Sequence, residues 1–310
     1  MVLSTLTFRL LPHGVRGFGK LLYKSVVAWV DHRATSKGAA LAFYTLFSMA
    51  PILVLAIATA GYFFGTEAAQ QEIIAQLRGL VGPNGAQAIQ AMLTSAHNEG
   101  SGLFATIIAA VILLVGASSV FVELKDSLDE MWGTLPQASK VPPSVLRVIL
   151  RARLQAFGLV LVLAFLLLVS LVISAGLAVL ERYVGGVWSN FAALLSFIAT
   201  LISFSVIACL FAVIYKMLPA ILLSWRDVLI GSIFTAVLFT LGKYVIGLYL
   251  GNSGVASSYG AAGSLVALLL WVYYSAQIFY LGAEFTKQYA LAHGSLKTKK
   301  NPLQPSQVPV

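Results

Sequence analysis

The chain alternates long apolar runs with short polar segments, and six of the runs are long enough to cross a lipid bilayer. A helix needs about 20 mostly apolar residues to span a hydrocarbon core of about 30 Å. The runs lie at residues 38–65, 102–122, 155–180, 191–215, 228–250 and 261–285. The pattern therefore predicts an all-α, polytopic membrane protein whose six transmembrane helices form one domain over residues 38–285.

Helical spacing also appears outside these runs. Arg16, Lys20 and Lys24 recur every fourth residue within residues 1–37, beside apolar positions. This pattern is typical of an interfacial helix on an anionic membrane surface, and a solvated cytoplasmic helix is the alternative. Residues 67–98 hold two amphipathic patterns separated by the helix-breaking Gly-Pro-Asn-Gly run at 82–85, which predicts short external helices that cover the bundle. The polar tail, 286–310, is predicted to be disordered.

Composition and charge agree with a membrane protein. The chain is 59% hydrophobic and 10% charged, whereas soluble domains are about 25% charged. Of the 20 Lys and Arg residues, 17 fall on one side of the predicted membrane, Arg78 and Arg182 fall on the other, and Lys243 lies within a span. Because cytoplasmic loops carry the excess of basic residues, we expect both termini and the loop 123–154 to be cytoplasmic, and 67–98 and 251–260 to be external.

The net charge of +9 is explained by these topology signals and by contacts with anionic headgroups. Membrane lipids are therefore the expected partners. Nucleic acid is not, because no segment is large enough to form a soluble basic face. The single cysteine, Cys209, falls within the fourth span, where a small buried apolar role is predicted.

The sequence offers little for catalysis. No two of the four histidines have ligand spacing, and none of the common metalloprotease, phosphate-binding, dinucleotide-binding or serine-hydrolase motifs occurs. Glu123, Asp126, Asp129 and Glu130 could together hold a divalent cation, but the solvated acidic face of a helix extending from the second span is the favoured interpretation. We therefore predict no enzyme, no catalytic residue, no metal site and no cofactor.

Polar residues inside the spans are more informative, because they are costly in a bilayer and usually face a bundle interior or a wet cavity. On the sixth span four of them recur at intervals that place them on one helix face. The candidate substrate-path residues are Tyr44, Ser48, Pro51, Ser196, Thr200, Ser203, Ser232, Lys243, Tyr273, Gln277, Tyr280 and Glu284. Hydrogen bonding between packed helices is the alternative, and it explains the Ser and Thr positions better than the two charges.

The two charges lie at different depths. Lys243 falls in the outer half of the fifth span, where it either faces a hydrated interior or extends to the headgroups. Glu284 falls near the cytoplasmic end of the sixth span, where Arg33, Lys37 or Arg226 is the expected partner. No carboxylate lies near the middle of a span, which argues against a proton- or sodium-coupled transporter with a midplane acid.

Several segments resemble the YihY/BrkB family of bacterial inner-membrane proteins. They are Ala-Ala-Leu-Ala-Phe-Tyr-Thr-Leu-Phe-Ser-Met-Ala-Pro at 39–51, Leu-Pro at 218–219, Ser-Trp-Arg-Asp at 224–227, Ser-Tyr-Gly-Ala-Ala-Gly-Ser at 258–264, Leu-Trp-Val-Tyr-Tyr at 270–274 and Gly-Ala-Glu at 282–284. The resemblance, over residues 26–290, implies a six-span protein of the inner membrane linked to the cell envelope. Members have carried the label ribonuclease BN, but this chain has no nuclease constellation. Asp129 stands where the family is expected to favour Asn.

Two functional hypotheses follow. The first is a transporter of a lipid or amphiphilic anion through a polar cavity lined by spans one, four, five and six, with Lys243 attracting an anionic headgroup. The second is a non-transporting envelope scaffold that docks protein partners at the cytoplasmic face. A membrane-embedded enzyme ranks third.

The topology can be tested by single-cysteine labelling in intact cells of a Cys209→Ser background. An impermeant thiol reagent is expected to label a cysteine at position 85 and not one at position 300, because the basic bias places these positions on opposite sides. The reverse labelling pattern would overturn the topology.

Overall fold

The structure, a computed structural model, describes residues 13–96, 119–133, 189–252, 259 and 262–297, apart from residue 222. Within these ranges every regular element is a helix, which confirms the all-α prediction for this part of the chain. The helices are α1 (His13–Asp31), α2 (Ala34–Phe64), α3 (Thr66–Ala96), α4 (119–132), α5 (Ser189–Met217), α6 (Trp225–Asn252) and α7 (Gly263–Ala292).

Three of these helices are long and apolar enough to cross a membrane. They are the segments Phe197–Met217 of α5, Trp225–Leu250 of α6 and Gly263–Ala292 of α7. They correspond to the predicted fourth, fifth and sixth spans, and α2 forms the helix of the predicted first span. The third predicted span, and nearly all of the second, lie outside the described residues, so the count of six stays a prediction.

The turns of the N-terminal half occur where the backbone takes a left-handed conformation. Arg33, with φ 51° and ψ 42°, separates α1 from α2, and Gly65, with φ 88°, ends α2 one residue before α3 begins. Gly82, with φ 77°, divides α3 into two helical segments. Glycine adopts such angles without a steric penalty, and the predicted break at 82–85 is confirmed. Because Gly85 packs closely on Val81, the exposed Gln87 is a better labelling position.

Helix α7 lies at the centre of the described bundle, against α1, α2, α3 and α6. Its first half packs with α2 and with both segments of α3, through a cluster in which Ile89 and Leu268 are completely buried. Its second half packs with α4, α5 and the turn that precedes α6. Polar side chains on α7 are therefore enclosed by other helices.

The antiparallel pair α6–α7 is joined by two reciprocal contacts between glycine and threonine. Thr286 of α7 lies over Gly231 of α6, and a Cβ at that glycine would collide with the threonine hydroxyl. Four residues along each helix the arrangement is reversed, with Thr235 of α6 over Gly282 of α7. Each threonine hydroxyl donates to the carbonyl of the glycine in its own helix, at 2.8 Å for Thr235 and 2.7 Å for Thr286. The backbones can thus approach closely with no unsatisfied hydroxyl at the contact.

Helix α5 packs on this pair through aromatic side chains at its C-terminal end. Tyr215 is completely buried, and its hydroxyl donates to the Phe279 carbonyl at 2.7 Å. Its ring lies 5.2 Å from that of Phe279 and 6.3 Å from that of Trp132. Cys209, which precedes Tyr215 on α5, is exposed. The prediction that Cys209 is buried is wrong, because α5 packs against the bundle mainly at its C-terminal end.

Helix α4 is fastened to α7 by two side-chain to backbone hydrogen bonds. Trp132 Nε1 donates to the Ala283 carbonyl at 3.1 Å, and Lys287 Nζ donates to the Met131 carbonyl at 2.5 Å. A cation at the C-terminal end of a helix also interacts favourably with its dipole. Gly133, with φ 72°, ends the helix. These contacts hold α4 across the buried face of α7.

The start of α6 is fastened to the turn that follows α7. Asp227, almost completely buried, accepts hydrogen bonds from the Ser295 backbone N–H at 2.9 Å and from its hydroxyl at 2.7 Å. A Cβ at Gly294 would collide with this carboxylate. The contact closes the α6–α7 pair at the end opposite to its loop.

The glycine contacts predict a specific loss of stability. Gly231→Ala and Gly282→Ala are each expected to lower the free energy of unfolding by about 1–3 kcal/mol, the usual range for overpacking. Gly247→Ala is the matched control on α6, because a Cβ there meets nothing within 4 Å, and the gain in helix propensity should leave it neutral or slightly more stable. Thermal unfolding in detergent measures the difference. Equal midpoints for the three variants would contradict close packing at the contacts.

Candidate functional site: a buried polar row on α7

Three polar side chains of α7 form a row on one helix face, which we call the polar row: Gln277, Tyr280 and Glu284. Tyr280 and Glu284 are completely buried, and Gln277 buries both its amide atoms. Their spacing of three and four residues is that of neighbours on a helix surface. Tyr273, the fourth member of the predicted stripe, is half-buried beside the cluster formed with α2 and α3.

Glu284 lies against the end of α1. Its Oε1 is 2.7 Å from Nδ1 of His32, whose side chain is 27% exposed. Lys287 and Asp31 also act on the carboxylate electrostatically. Its second oxygen, Oε2, is buried and has no hydrogen-bond partner among the described residues. Glu284 is therefore paired on one oxygen only.

The predicted partner of Glu284 is wrong. Lys37 instead pairs with Glu130 at 2.6 Å, and Arg33 and Arg226 are exposed. The physical reason is the left-handed backbone at Arg33, which turns the chain between α1 and α2. The residue just before that turn, His32, is the one that meets the carboxylate.

Tyr280 lies against α4. Its hydroxyl is beside Ser127 and close to the carboxylate of Glu123. Ser127 donates to Oε1 of Glu123 at 3.2 Å. The polar row is thereby continued by two α4 side chains, four residues apart on one helix face.

Gln277 lies against α2, beside Gly38. A Cβ at Gly38 would collide with Nε2 of Gln277. Both the amide nitrogen and the amide oxygen of this side chain are buried and have no hydrogen-bond partner in the described part of the chain. An unpaired buried polar group costs about 1–3 kcal/mol, so this amide is not explained by stability.

The other candidate residues do not join the row. Ser48 and Ser232 are buried, but each donates to a carbonyl three residues back in its own helix. Tyr44 is half-buried on α2, and Thr200 and Ser203 are exposed on α5. The remaining two positions have helical backbone, at Pro51 in α2 and Ser196 in α5.

Lys243 is separate from the row. It is half-buried on α6, and its Nζ lies 5.3 Å from the ring centre of the exposed Tyr244. None of the ion pairs between described residues includes it. Whether this lysine faces a hydrated interior stays a prediction.

The acidic residues of α4 are engaged in local contacts. Lys125 pairs with Asp129, four residues further along α4, and Asp129 Oδ1 accepts a hydrogen bond from the Ala220 backbone N–H at 2.7 Å. Asn, the residue expected from the family at this position, also carries a side-chain oxygen that accepts hydrogen bonds, so Asp129 can fill the same role. Among the described residues no group of three His, Cys, Asp or Glu side chains could hold a metal ion.

The sequence predicts the polar row but not the residues that surround it. The spacing of the histidines indicates no role for His32, and the local pattern does not single out Ser127 or Gly38. Glu123 and Ser127 gave a weak signal through their spacing of four residues. Nothing in the local pattern indicated that α1 and α4 would both close on α7.

Long apolar helices that enclose a row of polar side chains define a polytopic α-helical membrane protein. The chain belongs to the BrkB family: the family model described as Virulence factor BrkB matches residues 26–307. This confirms the resemblance seen in the sequence.

The curated relatives carry the name UPF0761 membrane protein. One from Verminephrobacter eiseniae is 29% identical over 261 residues, which is 83% of this chain and 58% of the relative. One from Pseudomonas aeruginosa is 28% identical over 267 residues, covering 82% of this chain and 59% of the relative. One from Tolumonas auensis is 38% identical over 74 residues, 24% of each chain. The chain thus spans less than two thirds of the length of the relatives from Verminephrobacter eiseniae and Pseudomonas aeruginosa. No solved structure matches it.

The contact between His32 and Glu284 should be measurable as a coupling energy. A double-mutant cycle with His32→Gln and Glu284→Gln is expected to give about 1.5–3 kcal/mol, the range for hydrogen bonds to charged groups. The matched control is the pair Lys37–Glu130, in which the glutamate side chain is 56% exposed and the coupling should stay below about 1 kcal/mol. Unfolding free energies in detergent supply both values. Equal coupling energies for the two pairs would show that burial does not strengthen the contact between His32 and Glu284.

Proposed function

We propose that this protein is a transporter of the bacterial inner membrane that moves a lipid or an amphiphilic anion, with both termini in the cytoplasm. Its path follows α2, α5, α6 and α7, and the polar row runs from Gln277, at the middle of the α7 membrane segment, to Glu284, toward the predicted cytoplasmic end. The protein acts without a cofactor and is not an enzyme. Its membership of a membrane-protein family and the basic bias of the loops support the location.

One observation carries the proposal: polar atoms with no hydrogen-bond partner are buried on a membrane-spanning helix. On α7 they are both amide atoms of Gln277, the hydroxyl oxygen of Tyr280 and Oε2 of Glu284, among the residues that the structure describes. Such groups are expensive away from water and mark substrate or ion pathways in membrane proteins. They are four hydrogen-bonding positions that a polar headgroup could occupy.

The row is closed in the described conformation. Helix α1 covers it through His32, and α4 covers it through Ser127. A substrate could reach Gln277 and Glu284 only if one of these helices moved away from α7. The proposed mechanism is therefore passive or partner-driven opening at this end of the bundle.

Lys243 would act in the outer half of the path. If it attracts an anionic headgroup, Lys243→Met should lower transport and Lys243→Arg should retain part of it. If the lysine only extends to the membrane surface, both variants should transport normally. The half-buried position beside the exposed Tyr244 permits either role.

The closed packing also favours a second candidate, a scaffold that docks partners at the cytoplasmic face. Completely buried Tyr280 and Glu284 leave no space for a ligand in this conformation. A scaffold needs no opening, and its buried polar groups would serve only to fix the arrangement of α1 and α4. Transport measurements distinguish the two.

The test is a lipid-movement assay in vesicles that carry fluorescent phosphatidylglycerol. A membrane-impermeant reductant quenches only the outer leaflet in protein-free vesicles, and vesicles with the protein should lose inner-leaflet fluorescence as well. Gln277→Leu should abolish this excess while keeping or raising stability, because an apolar group replaces an unpaired amide. Ser275→Ala is the matched control on α7, because this hydroxyl lies outside the row and already donates to the Trp271 carbonyl at 2.9 Å.

Two results would count against the proposal. Absence of excess quenching with folded protein would remove lipid transport and favour the scaffold. Normal movement by Gln277→Leu would show that lipid does not follow the polar row.

A further inference from the structure

A groove lies between α1, the start of α6 and the end of α7, and no residue of the polar row lines it. Its volume is about 280 Å³. Four apolar side chains form its walls and two side chains that carry polar groups stand at its α7 end: Phe18, Leu21, Ile230, Phe285, Tyr289 and His293. We call it the interfacial groove.

Aromatic side chains that contact one another form part of the wall of the interfacial groove. The rings of Phe234 and Phe285 stack at 3.9 Å, and Phe18 lies against both at 6.4 and 5.9 Å. At the other end, the ring of Tyr289 stacks on His293 at 5.5 Å. An apolar body with a polar rim suits an amphiphile that keeps its apolar part away from water.

Exposed cations border the groove along α1. Lys20 is three residues after Gly17, and Lys24 is three residues after Leu21, so each lysine neighbours a groove-lining residue on the helix surface. Both lysines are exposed, and neither takes part in an ion pair between described residues. The groove therefore has a free positive charge beside an apolar wall.

The depth of the groove matches the membrane surface. Ile230 is in the second turn of a helix whose membrane-spanning segment begins at Trp225, and His293 follows directly after a segment that ends at Ala292. On the predicted topology both lie at the cytoplasmic surface, where anionic headgroups attract basic residues. Tyr23 and Val30 of α1 are 69% and 60% exposed, which is expected of a helix that contacts lipid.

We propose that the interfacial groove binds one anionic phospholipid, with part of an acyl chain between α1, α6 and α7 and the phosphate over Lys20 and Lys24. The lipid fills the gap between α1 and the two spanning helices and holds α1 in place. This site uses no residue of the polar row, so it stands or fails independently of the proposed transport.

The groove can be blocked without touching the cations. A Cβ at Gly17 meets nothing within 4 Å, so Gly17→Leu should place its side chain in the groove space without a clash at its Cβ. Gly247→Leu is the matched control, because the Cβ at that position is equally free but lies on the outer half of α6. The double variant Lys20→Gln/Lys24→Gln removes the charge and leaves the walls intact.

The experiment is native mass spectrometry of the full chain, equilibrated with equal amounts of phosphatidylglycerol and phosphatidylcholine. The wild type and Gly247→Leu should retain one phosphatidylglycerol in preference, and Gly17→Leu should retain at least fivefold less. The double lysine variant should retain both lipids equally. Excess glycerol 3-phosphate, which has the headgroup phosphate without a chain, should not displace the lipid.

Three outcomes would overturn the assignment. Equal retention by Gly17→Leu and Gly247→Leu would show that the groove does not hold the chain. Unchanged preference in the double lysine variant would show that these cations do not select the headgroup. Displacement by glycerol 3-phosphate would indicate a phosphate site rather than a lipid site.

Discussion

The close approach of α6 and α7 is the constraint on which the described bundle depends. In a bilayer, helices gain little from hiding apolar surface, because lipid tails are as apolar as the side chains, and association relies on contact between backbones and on hydrogen bonds. Gly231 and Gly282 make that contact possible, and the two threonine hydroxyls fill the space without exposing an unpaired group. With one side of α7 held in this way, its other faces can be covered by α1, α2, α3 and α4.

The polar row follows from this central position. A helix surrounded by others can carry Gln277, Tyr280 and Glu284 inside a membrane, whereas a helix facing lipid could not do so without a large penalty. The three polar side chains differ in the hydrogen-bond partners that the surrounding helices give them. Glu284 pairs with a histidine through one oxygen, whereas the Tyr280 hydroxyl and both amide atoms of Gln277 have no hydrogen-bond partner among the described residues. The least satisfied member is thus the one furthest from the predicted cytoplasmic surface.

Much of this architecture was readable from sequence because it depends on local patterns. Apolar length predicted α5, α6 and α7, the glycine-proline run predicted the break at Gly82, and helical periodicity predicted which face of α7 is polar. Contacts between distant segments were not readable. The pairing of Glu284 with His32 depends on a single left-handed residue, Arg33, and the exposure of Cys209 depends on which helices surround α5. Composition cannot separate a lipid-facing position from a buried one, because both are apolar.

The bond between Asp227 and Ser295 has a mechanical consequence. The α6–α7 hairpin is tied at its open end by this bond and, shortly after it on α6, by the two threonine contacts, so the two helices are held together at this end. On the other faces of α7, α1 is held by His32 and by the contact of Phe18 with Phe285, and α4 is held by Trp132 and Lys287. The proposed opening over the polar row would therefore leave this end of the hairpin as a fixed frame and displace α1 or α4 from it.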